Sequence, residues 1–334
     1  MIDVAQYQLD LGGLVDADLD TLATALYVKT DDALRTDPDL VRWRPRVGIM
    51  PKLSDAELLT LAVIQALLGF TSEARFLRYA SSHLTHLFPY VPKQSGYNKR
   101  LRRASAQLNA LIRLLATDTD LWADDTWVID STPVECGRSG QTAKRSDLVG
   151  FAGYGYCASH SRYFWGLRLH LLCTPAGLPV AFALSNPKVD EREVARDLLE
   201  IDPGLLAQRP GQTILADKGY ASAEFETFLN ERHSTLIRPA RKNEPPRPGA
   251  RFLKPMRQLI ESVNDTLKGQ LDLEQHGGRT QHGVVTRVLQ RLLALTAAIW
   301  HNHHSGQPKL RSLVSYSQNL WMHHLTEGAT YLPL

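Results

Sequence analysis

The sequence predicts an α/β protein, a mixed β-sheet flanked by helices and preceded by an all-α N-terminal region. Three observations predict it. Up to about residue 120, apolar residues recur at helical spacing. From Thr126 that spacing gives way to short runs rich in β-branched and aromatic residues, bounded by turn formers. Beyond residue 190, helical and strand patterns alternate, as they do where helices pack on the faces of a sheet.

Each element has a local reason. Leu19, Leu22, Ala23 and Leu26 fall at i, i+3, i+4 and i+7, one face of a first helix. Ser54-Asp55-Ala56-Glu57 reads as a capping box, serine at the N-cap and glutamate three residues on, opening the apolar run LLTLAVIQALLGF. Another helix starts near Ser72. After the turn-rich PYVPKQSG a further helix begins near Ser95, with Lys99, Arg100, Arg102 and Arg103 in its first half and Leu108, Leu111 and Leu115 in its second. Such a helix suits a nucleic-acid surface, as in a helix-turn-helix, and suits an ordinary bundle nearly as well. Strands follow at 126–131, 163–173 and 178–184, with Pro175-Ala176-Gly177 turning the last two back on each other. Then come a helix near 190–201, a strand at 212–217, a helix at 221–231 and a strand at 235–238. The Pro-rich NEPPRPG interrupts the chain before helices near 255–269 and 284–301. Residues 138–162, basic and aromatic, read as a long loop between the first two strands. Loops of that length in a compact domain are often functional, and Tyr154, Tyr156, Lys144 and Arg145 are its candidates for DNA contacts.

Composition bounds the class. The 334 residues are 43% hydrophobic and 22% charged, values of a globular chain with ample core. No uninterrupted apolar run reaches the ~18 residues of a membrane span. The acidic start MIDVAQYQLDLGG has no basic n-region, so a cytoplasmic, nucleoid-associated protein is expected. Cys136, Cys157 and Cys173 lack C-x-x-C spacing and read as isolated thiols rather than zinc ligands or a disulfide framework. The net charge of +3 says little, but its distribution says more. Lys93, Lys99, Arg100, Arg102 and Arg103 form a stretch without an acid, and Arg241 to Arg257 is basic apart from Glu244. Both clusters fit phosphate binding, and both fit a solvated surface.

The chemistry is suggested by two strands that end alike. TWVIDS ends near Asp130 and QTILAD on Asp217. If the strands are neighbours, both carboxylates emerge at one sheet edge, where hard divalent cations take oxygen ligands. On the helix RQLIESVNDTLK, Arg257, Glu261, Asp265 and Lys268 fall in one narrow stripe, either a third ligand with its attendant cations or ordinary i,i+4 surface pairing. Glu135 reads as a surface carboxylate. Arg168 and His170, alternating with leucines on the second strand, either reach DNA or face solvent. His301-Asn302-His303-His304 suits the negative end of a helix dipole better than a transition metal.

VIDST, ILADKGY and RQLIESVNDTLK together resemble the three catalytic motifs of DDE-type insertion-sequence transposases, bacterial enzymes with a ribonuclease-H-like catalytic domain. Many members end the second motif as Asp-Lys/Arg-Gly-Tyr, matched by Asp217, Lys218, Gly219 and Tyr220. Their third motif often reads Tyr-x2-Arg-x3-Glu-x6-Lys. Arg257, Glu261 and Lys268 match it in register, while Lys254 stands at the tyrosine position. The resemblance spans roughly residues 120–305. It implies a helical DNA-binding or dimerisation region at 1–120, a ribonuclease-H-like catalytic domain at 121–305 and a tail at 306–334. It implies metal-dependent cleavage at transposon ends and strand transfer, with Asp130, Asp217 and Glu261 as catalytic residues holding two Mg²⁺ or Mn²⁺ ions. It further implies Arg257, Lys268 and Lys218 on phosphates, and the basic cluster adds Lys99, Arg100, Arg102 and Arg103 as expected DNA contacts. The partner is double-stranded DNA, at the transposon ends and the target, bound by a homodimer. A nuclease of the same fold without strand transfer, and a DNA-binding protein descended from a transposase, are the alternatives.

Overall fold

The computed structural model describes residues 19–41, 50–157, 161–242, 244–307 and 313, so nearly all of the tail expected at 306–334, and the first 18 residues, lie outside the described residues. Among the described residues, five α-helices come first: α1 (Leu19–Thr36), α2 (Asp55–Leu67), α3 (Glu73–His83), α4 (Gln94–Arg103) and α5 (Ser105–Thr117). The capping box at α2 is complete. Ser54 Oγ accepts from the Glu57 N–H at 3.0 Å, and the Ser54 N–H donates back to Glu57 Oε2 at 2.5 Å. Ser72 caps α3. The helix expected from Ser95 onward is two helices, because the chain turns at Ala104 between the basic half and the apolar half.

The sheet has six strands among the described residues: β1 (Thr126–Gly137), β2 (Gly153–Cys157), β3 (Arg162–Cys173), β4 (Pro179–Ser185), β5 (Thr213–Leu215) and β6 (Thr235–Ile237). Its centre is β1, antiparallel to β3 on one side and parallel to β5 on the other, with β6 parallel beyond β5. Along its outer edge β3 pairs first with β2 and then with β4. This is the ribonuclease-H-like mixed sheet the motifs imply. Gly153–Cys157, within the loop the sequence predicts at 138–162, is an edge strand. Its alternating glycines hid it, since glycine is poor in strands. Here Gly155 is required, because a Cβ there would meet the Pro187 Cβ at 2.6 Å and the Phe164 ring at 2.7 Å, while one at Gly153 would crowd the Asn186 amide at 2.6 Å.

Between the strands run α6 (Gly140–Arg145), α7 (Glu191–Ile201), α8 (Pro203–Ala207) and α9 (Ala223–Asn230). After the sheet come α10 (Ala250–Asp265) and α11 (Gln281–His304). The two sheet faces bury different cores. Trp127, Ile129, Leu172 and Ile214 pack against α7, α8 and α9. Val128, Leu169, Leu171 and Leu215 face a larger core in which α1, α2, α5, α10 and α11 all take part. The helices that precede the sheet thus share one continuous core with α11. That helix is long and apolar enough to span a membrane by length and composition, yet 83% of its most apolar window is buried in the protein. Buried polar ties cross the same core: Gln290 donates to the Ala62 carbonyl at 2.7 Å, and Tyr97 donates to Gln65 Oε1 at 2.8 Å.

Two buried histidines fold in uncharged. Burial pushes His170 down to about 4, helped by the Arg168 charge, and burial with the Arg291 charge does the same to His276. A folded histidine of depressed pKa binds fewer protons than its unfolded counterpart. Its stabilisation is therefore complete above about pH 6.5 and is lost as the pH falls toward 4, by ~3 kcal/mol for each group. Urea unfolding at stepped pH should show a steeper loss of stability below pH 6.5 in the parent protein than in His276→Gln, by about one proton. Equal slopes would mean that His276 is not held neutral by the fold.

Candidate active site

The parallel pairing of β1 with β5 aligns Val128 with Leu215. Asp130 and Asp217 each lie two residues beyond that pair, so both carboxylates reach the same edge of adjacent strands and the same face of the sheet. Asp217 is exposed and Asp130 is sunk beside it. Burial, together with the Asp217 charge, pushes Asp130 up to about 6. The Ser131 N–H, the Asn264 amide and the Lys268 charge work against that rise. Two carboxylates crowded at a low-dielectric edge are what a cation would relieve, so this pair fits a hard divalent ion.

Beyond β5 the chain turns sharply. Asp217 accepts from the Gly219 N–H at 2.5 Å in a single 3₁₀ turn, Lys218–Tyr220. A Cβ at Gly219 would stand 2.7 Å from Asp217 Oδ1 and 3.2 Å from Glu191 Oε2, so the glycine of ILADKGY keeps space between two carboxylates. Glu191, at the start of α7, accepts from Ser131 Oγ at 2.7 Å and pairs with Arg168. Sequence reasoning missed Glu191, because an acid in the first turn of a helix reads simply as dipole compensation.

Helix α10 carries the third motif, and its docking decides what that motif does. Ile260, Val263 and Leu267, at i, i+3 and i+7, are buried against the sheet core. Asn264 shares that inward face and donates from Nδ2 to Asp130 Oδ2 at 2.9 Å. Glu261 lies about 100° round the helix from Ile260 and points outward. Its side chain is 54% exposed and accepts from Arg257 Nε at 2.8 Å. The bond to Glu261 and then the Glu261 charge hold the Arg257 pKa up, with weaker contributions from the charges of Asp217 and Asp130. A π-turn over Thr266–Gln270 inserts an extra residue after α10, and Lys268, half-buried within it, is felt at Asp130. Among the described residues no group of three His, Cys, Asp or Glu is arranged to hold a metal ion. The structure sets Asp130 beside Asp217, while Glu261 faces outward to Arg257. Asn264, overlooked in the sequence, carried one signal: it is the polar member of an otherwise apolar stripe.

Other expected roles differ in the structure. Arg100 turns inward, pairing with the buried Asp55 at 2.7 Å and donating to the Leu53 carbonyl at 2.8 Å, so it braces the start of α2. Lys99, Arg102 and Arg103 remain exposed on α4, as does Lys218 beside Asp217. In the second basic cluster, Arg247 is tied to Glu226 and Arg241 to the Ala221 carbonyl. Glu135 is no surface carboxylate. Its side chain is 9% exposed and bound by Arg162 at 3.0 Å. Arg168, half-buried, is paired with Glu191, and His170 is fully buried against Ser185 and does not face solvent. On β2, Tyr154 and Tyr156 stand exposed.

The model of a family described as "Transposase DDE domain" matches residues 122–297. Among solved structures, a cryo-EM structure of the piggyBac transposase synaptic complex with hairpin DNA is similar at 12% identity and a TM-score of 0.43, covering 94% of this chain and 83% of that chain. No curated protein matches the chain.

Proposed function

Because the chain belongs to the transposase DDE domain family, we propose that it cleaves DNA at transposon ends and joins the freed 3′ ends to target DNA. The observation that supports this chemistry best is the placement of Asp130 and Asp217 abreast, two residues beyond a matched pair of parallel strands. Two Mg²⁺ or Mn²⁺ ions bound there would activate a water or a 3′-hydroxyl and stabilise the leaving oxygen of an in-line displacement. Asp130 and Asp217 are the residues that would hold the metal. Asn264 holds one oxygen of Asp130 in place through its amide. Lys218, exposed beside Asp217, and Lys268, near Asp130, supply positive charge for the scissile and flanking phosphates.

Glu261 is assigned as the third ligand from its place in the motif. To serve, its side chain must leave Arg257, and the guanidinium so released pairs with a DNA phosphate instead. The partner is duplex DNA, held at two ends by a homodimer. The test is a duplex carrying the element's terminal sequence, incubated with Mg²⁺. Joined products support the proposal, cleavage without joining points to a nuclease, and binding without either points to a DNA-binding protein. Glu261→Gln should lower cleavage by ~10² or more with DNA affinity unchanged. A variant that cleaves as fast as the parent removes Glu261 from the ligand set.

A further inference from the structure

A cleft of ≈ 460 Å³ opens where the first turns of α3 and α11 converge on the flank of α4. Its floor is built from a neutralised pair. Glu73, in the first turn of α3, is 7% exposed and ion-paired with Arg287 of α11, so the one carboxylate lining the cleft is already satisfied. Its rim is cationic. Arg102 of α4 and Arg279 of the loop before α11 are both exposed, and neither has an acidic partner among the described residues.

The loop that presents Arg279 is rigidly placed. His276 is buried, donates from Nε2 to the Glu135 carbonyl at 3.1 Å and accepts the Gly278 N–H on Nδ1 at 3.0 Å. Gly277 turns with φ +70°. Gly278 lies flat on α11, where a Cβ would meet the Val284 nitrogen at 2.7 Å. The imidazole therefore pins the loop to β1, and the glycines lay its backbone against the helix start. The positive ends of α3 and α11 face the same space as the two guanidinium groups.

We propose that this cleft holds a backbone phosphate of duplex DNA, as a second contact apart from the carboxylate pair. The inference rests on the reading of the protein as DNA-acting. The geometry supplies a register for it. Through His276 the cleft is anchored to Glu135, five residues along β1 from Asp130, which at ~3.3 Å per residue is ~17 Å. That distance corresponds to about five base steps of ~3.4 Å, so a duplex laid along β1 from Asp130 and Asp217 would reach the cleft within half a helical turn.

The experiment compares the full-length protein with the double variant Arg102→Gln/Arg279→Gln, using anisotropy of a labelled duplex across a salt series. Both side chains are exposed, so the variant should melt like the parent. Losing the one phosphate contact that the two guanidinium groups make should lower the magnitude of the log K against log salt slope by about 1 and weaken binding on the order of tenfold. A control that removes two exposed charges elsewhere, Arg35→Gln/Arg196→Gln, should leave the slope unchanged. If the cleft variant keeps the parent's affinity and slope, the cleft is not a DNA contact, while the DNA-acting reading stands. If the control loses as much as the cleft variant, the effect is net charge and the proposal falls. Should inorganic phosphate raise the parent's melting temperature while the cleft variant binds DNA normally, the cleft is a free-anion pocket, which also overturns it. A parent protein that binds no DNA at all defeats the underlying reading instead.

Discussion

Asp217→Asn should abolish Mg²⁺-dependent cleavage, by ~10³-fold or more, while changing duplex affinity by less than about threefold. Several kcal/mol of charge stabilisation by metal is at stake, and each ~1.4 kcal/mol is tenfold in rate. Asp217 is exposed and its one described bond, from the Gly219 N–H, survives in the amide. Asp130→Asn should lose activity equally but differ in stability. Burial and then the Asp217 charge push Asp130 up to about 6 in the folded state, so the folded protein holds this proton more tightly than the unfolded chain. For such an acid, stability is best below about pH 4, falls as the pH rises to 6, and stays reduced above it. Removing the charge should therefore stabilise the metal-free protein at pH 8, by up to ~3 kcal/mol. Mg²⁺ should raise the melting temperature of the parent and not of either variant. Metal-dependent cleavage at parental rate by Asp217→Asn would dismiss the site. A fall in stability for Asp130→Asn would show that its charge is not the strained group inferred.

The second large effect is structural. Glu73 and Arg287 are 7% and 11% exposed, and Asn98 adds a bond to Glu73 at 2.8 Å. Arg287→Met strands a buried carboxylate with one amide donor, which should cost ~3–5 kcal/mol in urea denaturation. Adding Glu73→Gln should recover most of that loss, since a buried amide needs no counter-charge. A loss under ~1 kcal/mol for Arg287→Met would mean that water reaches Glu73 and the pair is a surface feature.

The sheet was legible because its strands announce themselves locally. Runs such as TWVID and FWGLRLHLLC are too apolar and β-branched for loops, and Pro175-Ala176-Gly177 marks the return between β3 and β4. The edge strand Gly153–Cys157 escaped, since its glycines serve neighbours distant in sequence, Asn186 and Pro187. Charged residues were the hardest to place. A cluster of arginines reads the same whether its members face DNA or, like Arg100 on Asp55, brace a buried helix start.

By itself the sequence determined which residues could do the chemistry: two aspartates at strand ends, and a helix bearing acid and base on one stripe. Periodicity and strand alternation are local properties, so they can be read without the fold. Only the tertiary structure decided that β1 and β5 are parallel neighbours in a register that sets Asp130 beside Asp217. It alone decided that Asn264, rather than Glu261, meets Asp130. The physical reason is that a helix rotates to bury its apolar stripe. Here Ile260, Val263 and Leu267 fixed that rotation, and the motif glutamate was carried outward to Arg257.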